Sequence, residues 1–145
     1  MRVRAGTVAK WIARLINPIQ VLDEASTIDA QATGKVFILN SATEFATTLP
    51  APKAGLFYKF IVGAAPASAS YTIVTKSSAN IIQGQVSSAE DAAGSVSTAA
   101  DADTITFADG KAIVGDYVEL ISDGTNWYVS GMCNVQDGIA TTQAS

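Results

Sequence analysis

Hydrophobic and polar positions along this chain follow two different periods. Near the start, Val8, Trp11, Ile12, Leu15 and Ile19 recur at spacings of three and four, which puts them on one face of a short amphipathic helix. Lys10 and Arg14 lie four apart on the other side. Asn17-Pro18 ends the pattern, because proline disfavours helical geometry in the residue before it. From residue 35 the period becomes two. Residues 35–40 hold Val36, Phe37, Ile38 and Leu39, residues 44–49 form a weaker run closed by Pro50 and Pro52, and residues 56–62 carry Phe57, Tyr58, Phe60 and Ile61. Segments 71–75, 80–86, 104–107, 117–122 and 126–132 continue the series with β-branched and aromatic residues, as half-buried strands do. Gly84, inside one of them, suits a bulge.

Turn signals organise these runs. Asp123-Gly124 separates the last two, and Asp-Gly between alternating segments is the strongest short-range hairpin signal. A second pair, Asp109-Gly110, stands between the Ile105/Phe107 run and Ile113-Val114. The pattern predicts a mainly β protein: a compact antiparallel β-sandwich or barrel of about seven to eight short strands. A parallel sheet would call for helical crossovers, and the pattern predicts none after residue 34. Three parts are expected: a basic arm with helix and linker over 1–34, a β-domain over 35–133, and a polar tail over 134–145. Within the domain, 87–103 is nearly all Ser, Ala, Gly, Thr, Asp and Glu, so it is expected to be an exposed loop.

In the hairpin, Asp123 and Asn126 can hydrogen-bond the local backbone while Gly124 takes a positive φ. Trp127 is expected to face inward with Phe60 in the core, since large aromatics dominate small β-cores. Tyr128 should face the opposite way. An exposed Trp127-Tyr128 pair would instead make a platform for a sugar ring.

Composition narrows the chemistry. Charged residues are only 15% of the chain, against roughly 25% in an average soluble protein. The absence of histidine removes His-based triads, general bases and metal ligands, and the single cysteine, Cys133, excludes an internal disulfide and cysteine-rich zinc sites. Acidic neighbours occur at Glu90/Asp91, Asp101/Asp103 and Glu119/Asp123, but nothing around them supplies the buried environment that raises a carboxyl pKa. No enzyme activity, cofactor or metal is expected. Apolar runs stay short of the roughly 20 residues of a membrane span, and no cleavable leader is read at the N-terminus.

Charge is divided unevenly around the net −4. Arg2, Arg4, Lys10 and Arg14 precede any acid, and the rest of the chain sets five basic residues against all thirteen acidic ones. An acidic body argues against wrapping nucleic acid. The basic arm either solubilises a terminus or meets something else. A helix of about ten residues is marginal alone in water, so its apolar face must dock on its own domain, a partner protein or, with less support, a membrane surface.

Thr48-Leu49-Pro50 followed by Ala54-Gly55-Leu56-Phe57-Tyr58-Lys59-Phe60-Ile61-Val62, together with the stretch from Gly115-Asp116-Tyr117 through Ser122-Asp123-Gly124-Thr125-Asn126-Trp127-Tyr128-Val129, resembles a recurring domain of tailed-bacteriophage virion proteins. The similarity covers residues 35–133 and is greatest to small capsid decoration, or cement, proteins. It implies a non-enzymatic protein on the outer surface of the virion, bound to the major capsid protein and to itself as a homotrimer, stabilising contacts between capsid subunits. Related turns and strands recur in tail fibres, so a receptor-binding module for a host glycan is the alternative. On the first reading the contact residues are those of the arm: Arg2, Arg4, Lys10, Trp11, Ile12, Arg14, Leu15 and Ile16.

Overall fold

Alternating side chains decide which face each strand buries in the computed structural model, which describes residues 18–90 and 96–145. The strands, in chain order, are β1 (Ile19–Leu22), β2 (Ser26–Thr27), β3 (Val36–Leu39), β4 (Ala46–Thr48), β5 (Phe57–Val62), β6 (Tyr71–Val74), β7 (Ile82–Ser88), β8 (Val96–Ala102), β9 (Thr104–Phe107), β10 (Tyr117–Ser122), β11 (Trp127–Cys133) and β12 (Ile139–Thr142). Helical structure among the described residues amounts to two 3-10 turns, Ala30–Ala32 and Lys76–Ser78. The protein is mainly β, with two sheets around one core.

The first sheet has the order β1-β3-β5-β10-β11-β7-β8 and the second β12-β9-β6-β4-β2. Antiparallel pairing holds for β5/β10, β10/β11, β7/β8, β6/β9 and β9/β12. An all-antiparallel arrangement is corrected, however, by parallel pairing of β1/β3, β3/β5, β2/β4, β4/β6 and β7/β11. No helix is needed to make these crossovers. From β1 to β6 the chain alternates between sheets, so a strand of one sheet is the connection between two parallel strands of the other. Parallel pairing requires a long return path, and the opposite sheet provides it.

Both sheets contribute to the core. Phe37, Tyr58, Phe60, Leu120 and Trp127 come from the first, and Tyr71, Ile73, Ile105 and Phe107 from the second, all essentially inaccessible to solvent. Phe37 stacks on Phe60 with ring centroids 5.2 Å apart, and Tyr58 leans on Trp127 at 5.8 Å. Burial of such rings is the main source of stability in a domain this small.

Several boundaries read from sequence shift. Residue 19, assigned to a helix face, begins β1, and the described part of 1–34 is built into both sheets. The low-complexity stretch 87–103 is not simply an exposed loop. Its second half is β8, antiparallel to β7, and Ala99 and Ala102 are buried. Alanine patterning carries little signal, yet backbone pairing can specify a strand without large side chains. The polar tail likewise contains β12, which pairs with β9 and buries Ile139. Asp109-Gly110 does not form a hairpin, because β9 and β10 lie in different sheets.

At Gly84 the backbone has φ +128°, and a Cβ there would collide with the Val129 carbonyl of β11. Beside it the β7/β8 register shifts, so the expected irregularity is present.

Candidate functional site

The hairpin that drew attention in the sequence is built as a structural unit. Gly124 has φ +101°. Asp123 Oδ1 accepts hydrogen bonds from the Thr125 and Asn126 backbone N–H groups, each at 2.8 Å, and Asp123 Oδ2 accepts one from the Tyr128 hydroxyl at 2.9 Å. These donors hold the Asp123 carboxyl below its ordinary pKa, the Asn126 amide most strongly. The turn fixes the alternation of β11, so Trp127 enters the core and Tyr128, 42% exposed, faces out. An enclosed Trp127 cannot stack on a sugar, which removes half of the aromatic pair a glycan platform would use.

Of the other acidic residues singled out in the sequence, Glu119, Glu90 and Asp101 have side-chain partners, and Asp103 is buried, which the sequence did not anticipate. Glu119 pairs with Lys59 across β10 and β5 at 3.5 Å. Glu90 Oε2 accepts from the Gln136 N–H at 2.7 Å, and Asp101 bonds Gln83. Asp91 lies outside the described residues. Asp116, which composition did not single out, is buried. It accepts from the Ile113 N–H and the Asn134 N–H, each at 3.0 Å, and so ties the turn before β10 to the end of β11. Among the described residues no three His, Cys, Asp or Glu side chains gather as a metal site, and no helix is long and apolar enough to cross a membrane.

What the structure brings together instead is a surface. Strand registers align the outward side chains of the first sheet into three rows. One runs Val21, Ile38, Ile61, Tyr117 and Met132 across β1, β3, β5, β10 and β11. The middle row begins with Ile19 and Val36 and continues into Lys59, Glu119 and Ser130, while the third holds Phe57, Ile121 and Tyr128. Ile19, Val21, Ile121 and Met132 are each about half exposed. Lys59 Nζ sits 4.4 Å from the Tyr117 ring centroid, so the Lys59–Glu119 ion pair is formed beside an aromatic ring. Polar residues begin at β7, where Gln83, Gln85 and Ser87 continue the rows.

Two depressions shape the surface. Phe57, Glu119, Ile121, Tyr128 and Ser130 line one of about 230 Å³. A cleft of about 290 Å³ beside Met132 and Tyr117 extends the apolar area to the exposed Ile113 and Val114. An apolar face with a polar rim has the anatomy of a protein-contact surface.

The contact residues expected from sequence, Arg2, Arg4, Lys10, Trp11, Ile12, Arg14, Leu15 and Ile16, lie outside the described residues. Phe60, Asp123, Gly124 and Trp127 fall in the core and hairpin. Sequence reasoning missed the outer face. Its signal is the lack of polar alternation in β3 and most of β5, since strands apolar on both faces are the ones that both faces cover. Compared with family models, curated proteins and solved structures, the chain matches none.

Proposed function

We propose that this chain is a non-enzymatic structural protein of a bacteriophage particle, a capsid decoration protein that clamps the outer shell through protein–protein contact. The observation that supports the reading is the outer face of the seven-stranded sheet, where the rows from Val21 to Met132 and from Phe57 to Tyr128 stay accessible. The virion location and the major capsid protein as partner come from the resemblance of residues 35–133. A homotrimer, joined through this face, is the assembly we propose. Copies linked to one another over a shell favour the assembled state by mass action, because whatever binds the assembly stabilises it.

The test is co-sedimentation of the purified full chain with empty phage shells, followed by heating. Shells carrying the protein should survive to a higher temperature than bare shells, and the added density should lie on the outer surface in negative stain. A protein that ignores shells and binds immobilised host glycans would overturn the reading in favour of a tail-fibre module.

A further inference from the structure

We infer that the outer face of the first sheet is the seat for residues 1–17 of a neighbouring copy, with Trp11 in the depression between Phe57, Ile121 and Tyr128. The inference rests on that face being a contact surface and names its occupant. Four observations favour this segment.

The first is where the chain enters the fold. The Pro18 carbonyl accepts a hydrogen bond from the Val36 N–H at 2.8 Å, so the segment ends at the edge strand, and the next side chain, Ile19, already lies on the outer face. The second is fit. The five apolar strands span about 19 Å at ~4.8 Å per strand, and a ten-residue helix is about 15 Å long. Val8, Trp11, Ile12 and Leu15 share one side of such a helix.

The third observation is chemical. The depression offers aromatic and aliphatic walls with the polar residues Glu119 and Ser130 among them. An indole has a matching apolar body and one N–H donor, and tryptophan is enriched at the centres of interfaces. The fourth is charge. Four basic and no acidic residues precede Ile19, whereas the described residues are strongly acidic.

Exchange between copies follows from the hinge. Proline at 18 disfavours helical geometry in the residue before it, and only Asn17 stands between it and Ile16, which leaves little chain with which to turn the apolar side back onto its own sheet. Short hinges of this kind favour swapping. Face-to-face pairing of two copies would rest on the apolar patch alone, and a patch of the usual ~300–600 Å² falls short of the roughly 800 Å² per partner of a standard interface. Exchange lets each copy bury both its arm and its face. Giver and receiver surfaces differ, so each contact is heterologous, and the proposed homotrimer is a ring in which every arm and every seat is filled.

The experiment mixes two full-length variants in the absence of shells. Trp11→Glu with Leu15→Glu removes the arm's apolar side, and Ile121→Lys blocks the seat. Light scattering should return an oligomer for the unmodified chain and monomers for each variant, the dissociation constant rising about 30-fold or more. Mixed, the variants should form a one-to-one heterodimer that grows no further, since one intact arm meets one intact seat. An unmodified chain that is monomeric at all concentrations would overturn the inference, as would an arm variant that still self-associates. Acrylamide quenching gives a second readout that needs no variant. Trp127 is enclosed, so Trp11 carries the change, and its quenching should rise on dilution. Concentration-independent quenching would also overturn the inference. Shell binding is measured separately, so an oligomer that ignores shells would defeat the decoration reading alone.

Discussion

Across β1, β3, β5, β10 and β11 both faces of the first sheet are largely apolar, but they meet different surroundings. On the inner face Phe37, Tyr58, Phe60, Leu120 and Trp127 pack against the second sheet and leave almost no accessible area. On the outer face Val21, Ile38, Ile61, Tyr117 and Ile121 come from the same strands and are partly or largely exposed. Hydrophobicity alone therefore does not separate core from contact surface here. The difference is what lies opposite: close-packed side chains on one side, and on the other a face whose central polar elements are the Lys59–Glu119 pair and Ser130. Burial energy scales with area removed from water, so the inner face supplies the folding energy, whereas the exposed outer face is the surface through which we propose the chain associates.

The largest expected effect is on the inner face. Trp127→Ala should cost about 3–5 kcal/mol through lost burial and the cavity left behind, read as a lower urea midpoint with an unchanged slope. Trp127→Phe should cost far less. It retains most of the ring packing and removes Nε1, which is buried without a hydrogen-bond partner. A normally stable Trp127→Ala protein would mean that this face is not the core.

Tyr58 gives the same contrast a pH dependence. Burial, and secondarily the Asp29 charge, push its phenol up to about 12, and its hydroxyl donates to the Asp29 carbonyl at 3.0 Å. Below pH 10 both folded and unfolded chains keep the proton and the stabilisation is fully present. Between pH 10 and about 12 the unfolded chain loses its proton first, so stability should fall as pH rises. Chemical denaturation across this window should show a decline that Tyr58→Phe reduces. Smaller again is Asp116→Ala, which strips a charged acceptor from the Ile113 and Asn134 N–H groups and should cost about 2–3 kcal/mol.

How far the sequence revealed these two faces depended on the kind of signal. Strands β5, β10 and β11 were legible because Phe60, Val118, Leu120 and Trp127 alternate with other residues around an Asp-Gly turn. The parallel pairs were not, because pairing partners separated by a strand of the opposite sheet leave no local pattern. Strand β8 was missed because Ala99 and Ala102 are small enough to look like loop residues, and β12 because Ile139 is the only large apolar side chain in it. The outer face required all the registers together. Ile38, Ile61 and Tyr117 are far apart in the chain, and only the pairings of β3 with β5 and β5 with β10 make them one row.

The smallest expected effect tests whether the outer face is wet. Lys59 and Glu119 stand directly opposite on antiparallel strands with side chains 28% and 39% exposed. Such a pair couples by about 0.2–1 kcal/mol and is screened by salt. A double-mutant cycle with Lys59→Met and Glu119→Leu should return this range when the face is bare, as in the Trp11→Glu, Leu15→Glu background, and should fall toward zero at high salt. In the unmodified oligomer a seated arm would exclude water from the pair. The coupling should then grow and lose most of its salt dependence, because low-dielectric surroundings strengthen the attraction and keep ions away. Equal coupling and equal salt dependence in the two backgrounds would place the arm elsewhere. They would also leave the apolar rows facing solvent in the oligomer, so the contrast between the sheet's two faces would hold in the assembly as it does in the single chain.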